Sequence, residues 1–122
     1  MTLGALAALA LAATAEPCRT VHGRMELWNG APSVRIWVVG TKRVLGVAQQ
    51  EASFKDLPLA VRQIWTGADA DKDWATAIYG DFQVCPLAAE RAGHMQAVRL
   101  IDATPSVLAP APPSLCPPGP AA

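Results

Sequence analysis

The sequence predicts a small, mainly β domain of five strands with one short helix between the third and fourth. Three observations lead there: apolar and polar residues alternate in short runs, Gly, Pro and Asn punctuate those runs, and a single helical stripe interrupts them. In the first run, residues 20–27, Val21, Met25 and Leu27 alternate with His22, Arg24 and Glu26, the period of two expected of a strand with one buried face. Gly23 falls on the inward side, where a missing Cβ permits a sharp bend or a bulge. Trp28 continues the outward row, and Asn29, Gly30 and Pro32 mark a turn. Residues 34–39 make the second strand, with Val34, Ile36 and Val38 inward and Arg35, Trp37 and Val39 outward. A turn at Gly40, Thr41 and Lys42 leads into a third strand over residues 43–47, so the three form a meander.

Residues 48–55 are polar and read as a loop. Asp56 suits an N-cap and Pro58 the first helical turn, and Leu57, Val61, Ile64 and Trp65 then fall at i, i+4, i+7 and i+8, a helical stripe that ends at Gly67. Residues 68–73 read as a polar loop, 74–78 fit either helix or strand, and 79–85 form a strand ending at Pro86. After a turn at 89–93, residues 95–102 supply the last strand. From Ala103 onward the composition changes, with seven Pro in twenty residues, and a flexible or polyproline tail is expected over 103–122. The element order over residues 20–102 resembles an OB-fold, which implies a small five-stranded OB-like barrel. An open β-sandwich or another small α+β fold fits the same order.

At the amino terminus, residues 3–13 hold only Leu, Ala, Gly and no charge, and Ala13-Thr14-Ala15 is a small-x-small cleavage site. Residues 1–15 are therefore expected to be a signal peptide, with the mature chain starting at Glu16 and one domain over 16–102. The apolar run is shorter than the roughly 20 residues needed to span a bilayer, so no stable membrane insertion is expected. Before Cys18 stand Ala15, Glu16 and Pro17, not the small apolar residues of a lipid-anchor signal. The expected location is periplasmic or secreted. Such compartments permit disulfides, and Cys18 and Cys85, which both lie on ordered segments, are the expected pair; Cys116 sits in the Pro-rich tail.

Ten basic and ten acidic residues balance to zero net charge, which argues against a dedicated nucleic-acid binder. The distribution is uneven. Arg19, Arg24, Arg35, Lys42 and Arg43 face only Glu26 within the first three strands, whereas Asp69, Asp71, Asp73 and Asp81 cluster later around Lys72.

The stretch from His22-Gly23-Arg24 through Trp28-Asn29-Gly30, Pro32-Ser33, Arg35-Ile36-Trp37 and Val39-Gly40-Thr41 to Leu45-Gly46-Val47 resembles a family of small exported proteobacterial proteins of unknown function. Gly80-Asp81-Phe82, Val84-Cys85-Pro86 and Met95-Gln96 are similar to it as well. The resemblance implies a compartment and a domain, and no activity.

The outward row gives the candidate binding face: Arg24, Trp28, Arg35 and Trp37, suited by stacking and cation-π contact to a sugar ring or to an acidic, partly apolar partner. The competing reading packs the Trp side chains and pairs both Arg with Glu26 across strands. Asp69, Asp71 and Asp73 open like a calcium loop, but Trp74 stands where that loop needs Gly and Gly80 where it needs Glu, so a solvated acidic loop is expected. Cys18, His22, Cys85 and His94 are conceivable zinc ligands, without any C-x-x-C pair. No serine lies in a nucleophile elbow, and Cys85 with a nearby His is the one nucleophile pair to weigh. The leading expectation is a non-enzymatic binding module without cofactor or metal, its partner an envelope glycan or protein. The alternatives are a structural component of an envelope assembly and, third, a small enzyme.

Overall fold

The computed structural model describes residues 16–48 and 54–111. The expected signal peptide, Cys116 and residues 112–122 lie outside the described residues. Five strands, β1 (Arg19–Leu27), β2 (Val34–Val38), β3 (Val44–Val47), β4 (Thr76–Pro86) and β5 (Gln96–Pro110), close into a barrel in the order β1-β2-β3-β5-β4. All neighbours are antiparallel except β3 and β5, which run parallel from Leu45 opposite Gln96 to Val47 opposite Val98.

The alternation seen in the sequence is the inside and outside of this barrel. Val21, Met25 and Leu27 of β1, Val34 and Ile36 of β2, and Leu45 and Val47 of β3 point into the core, where they meet Ile78, Phe82, Val84, Val98 and Leu100. β1 is the hinge of the closure, because it pairs with β2 along one edge and β4 along the other, and Gly23 lies opposite both Val38 and Gly80. A Cβ at Gly23 would sit 2.5 Å from Ile36 Cγ2 and 2.9 Å from the Trp37 carbonyl oxygen, so the close packing at this point of β1 admits only glycine.

The segment between β3 and β4 differs from the single expected helix. A 3-10 turn (Phe54–Asp56) precedes the short helix α1 (Leu59–Arg62), and a second helix, α2 (Ala70–Trp74), follows. Pro58, not Asp56, occupies the N-cap position of α1, and its carbonyl oxygen accepts from the Val61 and Arg62 amides. The apolar stripe nevertheless faces inward: Leu57, Val61 and Trp65 are buried, and the Trp65 indole N–H donates to the Thr76 carbonyl at 3.0 Å. α2 replaces the polar loop expected over 68–73. Asp69 caps it by accepting the Lys72 amide, and the buried Asp73 carboxylate accepts the Gly67 amide at 2.9 Å. With no apolar stripe, this helix is made by its carboxylates, a signal that hydrophobic periodicity does not carry.

The other correction concerns the end of the domain. β5 continues through Ala103 to Pro110, paired throughout with β4, where a flexible tail from Ala103 was expected. Ala103 is buried beside Phe82, and the Ala111 amide donates to the Ala75 carbonyl at 2.9 Å. Pro105 and Pro110 are tolerated because β5 leaves β3 after Val98 and has β4 as its one registered neighbour thereafter, so it is an edge strand. Register shifts at Ile101 and Ser106 let it coil around the barrel.

Candidate functional site

The β1-β2 hairpin carries the candidate face. The Trp28 amide donates to the Ser33 carbonyl at 2.7 Å, closing the hairpin beyond Leu27, and the register then sets Arg24 opposite Trp37 and Glu26 opposite Arg35. All four expected residues are brought together, as two stacks. The Arg24 guanidinium carbon lies 4.7 Å from the Trp37 ring centroid, and that of Arg35 lies 4.8 Å from the centroid of Trp28. Each of the four is half-buried, neither sealed in the core nor fully open.

Each stack is held by hydrogen bonds. Trp37 Nε1 donates to the Thr41 carbonyl at 2.7 Å, clasping the β2-β3 turn, in which Thr41 Oγ1 donates to the Val38 carbonyl and accepts from the Arg43 amide. Arg35 Nε donates to the Pro32 carbonyl at 3.0 Å, fixing the guanidinium over Trp28. Arg24 donates through Nε to Glu26 Oε1 and through Nη1 to the Tyr79 hydroxyl at 3.4 Å. The expectation that both Arg pair with Glu26 across strands is met in neither case: Arg24 reaches it from the same strand, and Arg35 has no carboxylate within ion-pair distance among the described residues.

Glu26 is buried, and its Oε2 has no hydrogen-bond partner among the described residues. Burial pushes its carboxyl up from the ordinary carboxylate value, against the opposing pull of the Arg24 hydrogen bond and charge. Burial also disfavours the Arg24 cation, but the bonds to Tyr79 and Glu26 outweigh it and raise the guanidinium further. Tyr79 is a site residue that sequence reasoning missed. It reaches Arg24 only because β4 pairs with β1, a contact between residues far apart in the chain. Along the same face His22 Nδ1 and Asp81 Oδ1 lie 3.1 Å apart, extending the polar row toward the start of β1.

The other chemistries find different uses for their residues. Cys18 and Cys85 form a disulfide, so neither thiol is a zinc ligand or a nucleophile. His22 contacts Asp81 and His94 contacts Arg91. Asp69 and Asp73 serve α2 and its entry loop, and no group of three or more His, Cys, Asp or Glu side chains able to hold a metal occurs among the described residues. No described helix is long and apolar enough to cross a membrane. No family model matches this chain, and neither the curated proteins nor the solved structures give a match.

Proposed function

We propose that this chain is an exported, non-enzymatic binding module, OB-like in architecture and kin to small exported proteobacterial proteins, that takes an envelope glycan or protein on the outer face of β1 and β2. The observation that carries the reading is the pair of Arg-Trp stacks side by side on adjacent strands, with the Arg35 charge unmatched by a carboxylate among the described residues. A guanidinium stacked on an indole keeps its N–H edge in the ring plane, free to meet an acidic group while the indole edge offers apolar surface. Barrels of the OB type commonly bind oligosaccharides or oligonucleotides, and the zero net charge favours the former. The disulfide is consistent with an oxidising compartment.

The test is binding of the purified protein to an array of bacterial envelope glycans and to isolated envelope proteins, wild type against Arg35→Gln and Trp28→Ala. Loss of roughly tenfold or more in affinity with the thermal midpoint of Arg35→Gln preserved supports the face. No binding by the wild type, or equal binding by the variants, rejects it. Sequencing the amino terminus of protein recovered from the envelope tests export: Glu16 is expected first, and Met1 would withdraw the signal peptide.

A second reading, a structural component of an envelope assembly, is favoured by Val107 and Leu108, both more than half exposed on the edge-strand part of β5. Replacing both with Ser leaves binding at the β1-β2 face intact and abolishes assembly on this reading.

A further inference from the structure

A groove of about 310 Å³ lies between the start of β3 and the loop joining β4 to β5, on the far side of Trp37 from Arg24. Its polar lining is Lys42 and Arg43 from one wall and Glu90, Arg91, His94 and Gln96 from the other. The charges do not cancel. Glu90 Oε2 is 3.1 Å from Arg43 Nε, which leaves Lys42 and Arg91 with no carboxylate in ion-pair distance among the described residues. Arg91 Nη2 lies 3.4 Å from His94 Nε2.

The walls are held by a buried hub. Gln96, 4% exposed, accepts at Oε1 from Arg19 Nη2 at 3.0 Å and Arg43 Nη2 at 3.3 Å, and its Nε2 donates to Glu16 Oε1 at 3.1 Å and the Ala88 carbonyl at 3.0 Å. Glu16 Oε2 accepts the Glu90 amide at 3.0 Å, tying down the loop near its cationic residues. Met95 and Pro32 both pack over Gly46, where a Cβ would lie 2.6 Å from Pro32 Cγ and 2.9 Å from Met95 Sδ. The loop backbone is therefore held close on β3, with Arg91 and His94 exposed along the groove.

We propose that this groove is an oxyanion site, taking the carboxylate or phosphate of a small acidic ligand between Lys42 and Arg91. The volume is at the lower end of small-molecule pockets, which run from roughly 300 Å³ upward, and so fits one charged group with the ring or chain that bears it. The site does not depend on the Arg-Trp face being a binding face. Val44, which stands opposite Trp37 on β3, nevertheless places the two within reach of one extended ligand.

The experiment is a titration of the purified protein, followed by backbone amide shifts, with glucuronate, inorganic phosphate and neutral glucose in turn. Glucuronate or phosphate is expected to shift the amides of residues 42–44 and 90–95, glucose is not, and added salt weakens the response. A response to glucuronate alone assigns a carboxylate, to phosphate alone a phosphate, and to both an unselective oxyanion site. Lys42→Gln and Arg91→Gln each lose roughly tenfold or more in affinity at unchanged thermal midpoint, and Arg91→Lys keeps most of it. Shifts with glucose equal to those with the anions, no response to either anion, or wild-type affinity in Arg91→Gln overturns the proposal.

Discussion

Glu26 is the residue on which the β1-β2 face turns, because it is a buried carboxylate with one oxygen on Arg24 and the other without a partner among the described residues. Its unfolded carboxyl titrates near the ordinary value of 4.5, and the folded one holds its proton to higher pH. From about pH 4.5 upward the native chain thus binds more proton than the unfolded chain, and this group's contribution to stability falls as pH rises. Glu26→Gln keeps an oxygen for Arg24 and has no such titration, so its thermal midpoint relative to wild type is expected to rise with pH from 4.5 to neutrality. A flat difference across that range counts against the assignment. At Gly80 the constraint is steric: a Cβ there would collide with the Thr104 carbonyl oxygen and lie 2.8 Å from Pro105 Cα, both backbone groups that cannot rotate away. Gly80→Ala is expected to lower stability by about 1–3 kcal/mol, read from the denaturant midpoint at constant slope.

At the scale of elements, β5 shows what a sequence conveys and what it withholds. The strand over residues 95–102 was legible from Met95, Ala97 and Ile101 mixed with Gln96, Val98 and Arg99, but its inward face was not: Gln96, Val98 and Leu100 are the buried positions, and Met95 and Ile101 are exposed. Beyond that, Pro105 and Pro110 contradict a strand on local grounds, and only the loss of β3 as a neighbour makes them acceptable. That fact belongs to topology and to no single window of sequence. The same holds for the site: Arg24, Trp28, Arg35 and Trp37 were legible because one hairpin joins them, whereas Tyr79 was not, because β4 arrives from 55 residues away. α2 was hidden for a different reason, since its capping carboxylates look like a metal loop until Lys72 and Gly67 are seen to donate to them. A chain ending at Asp102 is therefore expected to lose cooperative unfolding, with the partners of Phe82 and Tyr79 removed, while one ending at Ala111 keeps it. Circular dichroism melts of the two truncations distinguish these outcomes.

For the molecule as a whole, the Cys18-Cys85 bridge joins the lead-in of β1 to the end of β4, beside the pair Arg19 and Val84, and encloses the meander, both helices and most of β4. Its sequence separation of 67 corresponds to about 4 kcal/mol of stabilisation by restricting the unfolded chain. A Cys18→Ala, Cys85→Ala double variant is expected to lose about that much in denaturant unfolding, and reduced wild type is expected to match it. Equal stability of oxidised and reduced protein would show that packing alone closes the barrel.

The placement of that bridge also bears on how the right partner is chosen. Along the sequence Cys18 comes first, Cys85 next and Cys116 last. β1 and β4 bring the first two sulfurs together through their own registry, so the hydrogen bonds that align the two strands also set the pairing of Cys18 with Cys85. The strand registry that closes the barrel thus also selects the cysteine pair.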